Sequence, residues 1–327
     1  MQDSQTIAMA PNRHPAGIRA AVVVPCYNEV QVLPETNRRL LALLSRLARQ
    51  GLVSADSAIY YVDDGSRDGT WALIEQLAGD DGHVRGVKLS RNCGHQSALL
   101  AGLLSAEGDA IISIDADLQD DIEAIEKMLL AFNEGYEIVY GVRDSRATDS
   151  TFKRSSAQLY YRLMKRMGVN LVYDHADFRL MSRRAVDALR HYDEVNLFLR
   201  GIVPLIGLRS TSVRFDRAAR FAGESKYPLR KMLGFAVNGI TSFSVVPLRL
   251  ITLTGILVSL FSFAMTLYVL YGRLVMGNLV PGWASSVIPI YFLGGLQLLS
   301  IGVLGEYVAK TYFETKRRPR FFIEKST

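Results

Sequence analysis

Four short apolar segments, each running straight into a polar, acid-bearing loop and then into a helical pattern, constrain this chain more than any other feature of its sequence. AAVVVPCYNE (20–29) reads as a buried strand ending in a Pro-bearing loop, with helical apolar spacing following to about residue 50. AIYYV (58–62) enters DDGSRDGT and a helix from Trp71 to about Ala78. GVKLS (86–90) enters RNCG and a helix from His95 to Ala106, and AIISID (110–115) meets ADLQDD before a helix from about Ile122 to Asn133. Strand, loop and helix alternating in this way predict an α/β domain with a mostly parallel sheet and helices on both faces. Ligands of such sheets sit at the carboxyl ends of the strands, where all four polar loops fall.

The second constraint lies near the other end of the chain. Residues 250–272 carry no charge for 23 positions, and 284–305 form a second uncharged run. At 1.5 Å per helical residue each run is long enough for a hydrocarbon layer of about 30 Å. Arg273 is the one charge in the short connection, whereas Arg249 precedes the first run and Lys310, Lys316, Arg317, Arg318 and Arg320 follow the second. By the positive-inside rule the pair is a membrane hairpin with both of its ends in the cytoplasm. The first twenty residues lack the apolar core of roughly 7–15 residues that a secretory signal needs, so the domain ahead of the hairpin is expected to stay on the cytoplasmic side.

Charge then locates the substrate. The chain has a net charge of +6, and between residues 209 and 249 eight bases (Arg209, Arg214, Arg217, Arg220, Lys226, Arg230, Lys231, Arg249) face two acids (Asp216, Glu224). A basic stretch next to a membrane hairpin points to lipid phosphate rather than nucleic acid. The expected organisation is a disordered lead at 1–18, a catalytic domain at 19–208, a basic juxtamembrane segment at 209–248, the hairpin at 249–308 (about 250–272 and 284–307) and a basic tail at 309–327. A helix lying against the domain or the lipid surface is expected from Phe152 to Met167.

Asp115 and Asp117 bracket one small residue at the end of an apolar strand, and two such carboxylates can share a hard divalent cation with a diphosphate. Asp63 and Asp64 also follow a buried strand, placed either to bind a base or ribose edge or to cap the following turn with Ser66 or Asp68. No GxGxxG opens a helix and no P-loop, HExxH or GxSxG is present. His95 and His175 are lone histidines, a pattern more often structural than catalytic. Cys26 and Cys93 fit no CxxC or metal spacing and read as packing residues.

Taken together, VVVPCYNE (22–29), YVDDGSRDGT (61–70), LSRNCGHQSALLAGL (89–103) and DADLQDD (115–121) resemble, in order and spacing, the inverting family 2 glycosyltransferases. YGVRDSR (140–146), DFRLMSRRAVDAL (177–189), LFLRG (197–201), FAGESKYPLRKM (221–232) and the hairpin look like the polyisoprenyl-phosphate branch of that family, which includes dolichyl-phosphate mannose synthases and bactoprenol glucosyltransferases. The resemblance covers about residues 20–322. It implies a GT-A fold, Mg²⁺ or Mn²⁺, a nucleotide-sugar donor such as a UDP-sugar, and inverting transfer to a polyisoprenyl phosphate such as undecaprenyl phosphate. It implies further a bacterial cytoplasmic membrane location and a homotetramer.

Carried over by position, Pro25, Tyr27, Glu29, Asp63, Asp64 and Arg91 would hold the nucleoside, and Asp115, Asp117 and Gln119 the metal and diphosphate. Arg143, Arg179, Arg200, Lys226 and Tyr227 would meet the acceptor phosphate or the leaving diphosphate, with Asp177 orienting them. The sequence departs from its relatives at Cys93, where Phe is common, at Asp121 and Ile122, where a Pro pair is common, and at Ala176, where Gly is common; these positions bear on fine specificity. A processive polysaccharide synthase would carry a Gln-x-x-Arg-Trp motif, yet the tryptophans are Trp71 and Trp283. A catalytically silent scaffold would have no need of Asp63, Asp115 and Asp117.

Overall fold

A computed structural model describes residues 17–143, 175–195, 197–215, 241, 244–275 and 283–327. Residues 1–16 of the lead expected at 1–18, the helix at Phe152–Met167, most of the basic segment, Lys226 and Tyr227 lie outside the described residues. The chain divides into two compact units, one holding the sheet together with residues 318–327, the other holding two long helices.

In the first unit the elements run β1 (Ala20–Cys26), α1 (Leu33–Arg49), β2 (Ala58–Asp63), α2 (Thr70–Asp80), β3 (Val84–Leu89), α3 (His95–Ser105), β4 (Ala110–Ser113), α4 (Ala124–Asn133) and β5 (Ile138–Arg143). They continue with β6 (His175–Ser182), α5 (Arg183–Leu189), α6 (Leu199–Leu205), β7 (Ser210–Phe215) and β8 (Ile323–Ser326). The eight strands form one sheet in the order β7-β5-β6-β4-β1-β2-β3-β8. β1 pairs in parallel with β2 and β4, and β2 with β3, which is the block that the alternating pattern predicts. Every residue of β1, β2 and β4 is buried, as strands covered by helices on both faces must be. Leu33, Leu40, Leu43, Leu44 and Leu47 form the buried face of α1.

Four strands, β5 to β8, lie outside that pattern. β6 runs antiparallel between β4 and β5, and β7 pairs in parallel with β5. β7 takes the sheet through Phe215, past the boundary expected at 208, and puts Arg214 in an edge strand. The physical reason is the short alternation at 211–215, where only Phe215 is fully buried and stacks edge-on against Phe178 with ring centroids 5.2 Å apart. At the opposite edge β8 lies antiparallel to β3, so part of the expected basic tail is sheet. Ile18, placed in the lead, is buried and bridges to Val53, so the fold starts ahead of β1.

In the second unit α7 (Val246–Val275) and α8 (Trp283–Thr315) are the two long helices, overrunning the expected spans at both ends. Windows at Val246–Met265 and Phe292–Thr315 are long and apolar enough to cross a membrane, and neither is buried within the structure.

Candidate active site

The loops after β1, β2, β3 and β4 open together at the carboxyl ends of their strands and are braced against each other through backbone groups. The N–H of Asn28 donates to Ser66 Oγ at 2.9 Å, and Asn28 Oδ1 accepts from the N–H of Arg67 at 2.8 Å. Glu29 N–H donates to Thr70 Oγ1 at 2.9 Å, which ties the first loop to the start of α2. Gly65 has φ +66°, and a Cβ there would stand 2.5 Å from the N of Asn92, so only glycine lets the second loop meet the third.

These loops, with β6 and α6, enclose a cleft of about 490 Å³ lined by Pro25, Tyr27, Glu29, Asp64, Asp115, Asp117, Asp177 and Arg200 among the expected residues. His95 also lines it, together with Cys26, Asn92 and Gly94. Asp64 is buried and accepts from the N–H groups of Cys93 at 2.6 Å and Gly94 at 3.0 Å. Burial pushes its carboxyl up, against the pull of those two donors. Gly94, at φ +88°, turns the chain into α3 and delivers His95 to the cleft.

Asp177 is the centre of the polar network. Arg179, fully buried, donates from Nη2 to Asp177 Oδ1 at 2.8 Å. Arg200 grips the same carboxylate with two donors, Nε to Oδ1 and Nη2 to Oδ2, each at 3.1 Å. Gln96 Nε2 donates to Oδ2 at 3.2 Å, and His95 Nε2 lies 3.5 Å from that oxygen and 3.7 Å from Asp115 Oδ1. Burial alone would raise the Asp177 carboxyl, but the His95 hydrogen bond and the charges of Arg200 and Arg179 hold it well below the usual carboxylate range. Two arginines and the Gln96 amide thus hold it as an anion.

Asp115 behaves in the opposite way. Burial pushes its carboxyl up, His95 pulls it down, and Asp177 and Asp117 add to the rise. Burial also lowers His95, yet the Asp177 hydrogen bond and the charges of Asp115 and Asp177 outweigh it and raise the imidazole above its ordinary value.

Some expected residues stand elsewhere. Asp63 is fully buried behind the cleft wall, where both carboxylate oxygens accept from Ser66 N–H at 3.3 Å. Gln119 is buried, does not line the cleft, and its backbone N–H donates to Asp117 Oδ1 at 3.1 Å. Arg91 is exposed and is not part of the lining. Arg143 ends β5, and its side chain lies outside what is described. His95 and Gln96, read from the sequence as a structural histidine and an unremarked glutamine, both reach Asp177. The one local signal for them is the glycine immediately before His95.

Among the described residues no three His, Cys, Asp or Glu side chains converge as a ready-made metal cage. Asp115 and Asp117 supply hard oxygen donors beside a concentration of negative charge. That donor set fits a Mg²⁺- or Mn²⁺-like ion that takes its remaining ligands from a diphosphate, since such ions are commonly held by one or two carboxylates plus substrate phosphates.

A mixed sheet whose strand ends present paired carboxylates beside an arginine-gripped anion is the GT-A arrangement that the sequence motifs imply. The family assignment rests on residues 21–190, which match the model described as Glycosyl transferase family 2; the chain belongs to that family. It is 52% identical to the uncharacterized glycosyltransferase YkoT of Bacillus subtilis (strain 168) over 93% of this chain and 90% of that one. It is 38% identical to the prophage bactoprenol glucosyl transferase homolog of Escherichia coli (strain K12), over 94% of this chain and 99% of the relative. With the bactoprenol glucosyl transferase of Shigella phage SfII the identity is 39%, over 94% and 98%. Among solved structures, glucosyl-3-phosphoglycerate synthase of Mycobacterium tuberculosis in complex with Mn²⁺, UDP and phosphoglyceric acid has a TM-score of 0.45 at 20% identity, over 69% of this chain and 77% of that one.

Proposed function

We propose that the chain transfers a hexose, with glucose from UDP-glucose as first choice, onto the phosphate of a polyisoprenyl lipid such as undecaprenyl phosphate, inverting the sugar. The work is done at the cytoplasmic face of a bacterial inner membrane, with the catalytic domain and both ends of the chain on that side. The observation that carries this reading is one cleft that gathers Asp115, Asp117, the Asp177–Arg200 pair and the first-loop residues Pro25, Tyr27 and Glu29. Relatives named bactoprenol glucosyl transferase, matching nearly end to end, support the lipid acceptor and glucose. Two exposed apolar helices support a site at the membrane surface.

In this reading Pro25, Tyr27, Glu29 and Asp64 hold the nucleoside, with Asp63 fastening the turn behind them and Arg91 at the rim. Asp115 and Asp117, with Gln119 behind, would hold Mg²⁺ or Mn²⁺, which when bound neutralises charge on the departing diphosphate. Arg200, with Arg143, Lys226 and Tyr227, receives the acceptor phosphate, and Arg179 and Asp177 keep Arg200 in place. A phosphate monoester has a second pKa of about 6 and is largely a dianion near neutral pH, so it needs no general base. One phosphate oxygen forms the bond to the anomeric carbon from the face opposite the donor diphosphate. The bond from that carbon to the diphosphate breaks, and the nucleoside diphosphate leaves with the electron pair. Positioning two anions is therefore the main task, and arginine is suited to it.

Purified protein given undecaprenyl phosphate, Mg²⁺ or Mn²⁺ and a panel of nucleotide-sugars is expected to yield a lipid-linked hexose by mass spectrometry, strongest from UDP-glucose and abolished by chelator. Product from another donor only would correct the sugar. Absence of lipid product from every donor, in protein that binds nucleotide, would overturn the acceptor.

A further inference from the structure

Gln96 sits in the first turn of α3, outside every motif role assigned above, and bridges two parts of the cleft that are far apart in sequence. Its Oε1 accepts from the N–H of Leu199 at 3.1 Å, and its Nε2 donates to Asp177 Oδ2 at 3.2 Å. The two contacts fix the amide's orientation, because a backbone N–H requires the oxygen and a carboxylate held ionised requires the NH₂. Leu199 is the first residue of α6, whose opening N–H groups have no partner within the helix, and Phe198 before it has no polar side chain to offer. Gln96 therefore caps α6 from another helix. The carbonyl of Leu199 accepts from Arg179 Nη1 at 3.4 Å, so this buried residue is held from both sides. The next residue is Arg200, whose guanidinium closes on Asp177.

From this geometry we infer that Gln96 is a positioning residue: it locks the start of α6 to Asp177 and thereby sets where the Arg200 guanidinium stands in the cleft. The inference rests on the reading of Arg200 as the acceptor-phosphate residue. Arg200 is partly exposed, and its aim depends on the backbone that carries it as much as on Asp177. A side chain that fixes both at once determines whether the guanidinium faces the reacting phosphate.

A double-mutant cycle in the full-length protein tests it, with Gln96→Met, Arg200→Ala and the double variant measured for transfer to undecaprenyl phosphate and, separately, for UDP affinity. Each single change is expected to lower kcat/KM by about tenfold or more, mainly through a raised KM for the lipid phosphate, with UDP affinity changed less than about threefold; the double variant should be no worse than Arg200→Ala alone. Losses that multiply in the double variant would overturn the inference. So would a Gln96→Met enzyme with the wild-type KM for the lipid. Gln96→Glu gives an independent arm should Gln96→Met not fold: it retains the acceptor for Leu199 but sets a carboxylate against Asp177. Its activity should recover as pH is lowered and the introduced carboxylate takes up a proton, whereas a flat profile relative to wild type would count against the Asp177 contact. If wild type forms no lipid-linked sugar, the proposed function fails; the cycle read in melting temperature then still tests the coupling of Gln96 to Arg200.

Discussion

Asp177 illustrates how one carboxylate can be structural and functional together. It is almost fully buried and is shared by Arg179, Arg200, Gln96 and His95. Removing its charge leaves the Arg179 guanidinium, with no exposed surface, uncompensated in the interior. Breaking such a buried pair costs about 3–5 kcal/mol. Asp177→Asn is therefore expected to lose about that much stability in thermal or denaturant unfolding at neutral pH. The sign of the pH dependence follows from the depressed carboxyl: its contribution is complete above the unfolded carboxylate value of about 3.9 and disappears as pH falls through the lower folded value. The gap between wild type and Asp177→Asn should thus narrow in acid. His95 acts in the opposite sense, since its folded value is raised: its contribution is complete below the unfolded value of about 6.5 and is lost as pH rises through the folded one. Asp115, Asp117 and Asp64 could be picked from the sequence because each follows an apolar strand directly. His95 and Gln96 could not, because their partner Asp177 lies more than eighty residues away in the chain and only the sheet brings them together.

At the scale of elements, residues 318–327 are the unexpected piece. After α8 the chain returns to the sheet, where Phe322 O accepts from Ser90 N–H and Thr327 Oγ1 accepts from Gly86 N–H at 3.0 and 2.7 Å. Lys88 and Lys325 face each other across the ladder, a repulsive pairing, but each turns to an acid, Lys88 to Glu324 and Lys325 to Glu75. Arg320 reaches the carbonyl of Tyr192, in the segment that leads into α6. The strand thus covers an edge that would otherwise offer unpaired backbone groups. Deleting residues 318–327 should release the Gly86 and Ser90 amides to hydrogen exchange while the central β1 amides stay protected; continued protection of Gly86 would remove β8 from this edge. Three of the four residues of β8 are charged or hydroxylated and none is buried, so no apolar alternation marked it as a strand.

For the whole molecule, the two long helices are long and apolar enough to cross a membrane. Neither apolar window is buried by the rest of the chain, and so much exposed Leu, Ile and Phe is not stable in water. The protein is expected to remain with the membrane fraction through an alkaline carbonate wash and to enter solution only with detergent; release by carbonate would refute membrane spanning. The sequence by itself determined the parallel βα block, the apolar helices and the acidic loops, because each is written in local periodicity and in residues adjacent along the chain. Tertiary structure alone decided the antiparallel insertion of β6, the two edge strands and the joining of His95, Gln96, Asp177 and Arg200 around one carboxylate. Those pairings depend on backbone hydrogen bonds and charges between segments remote in sequence, and such contacts leave no periodic trace in either partner.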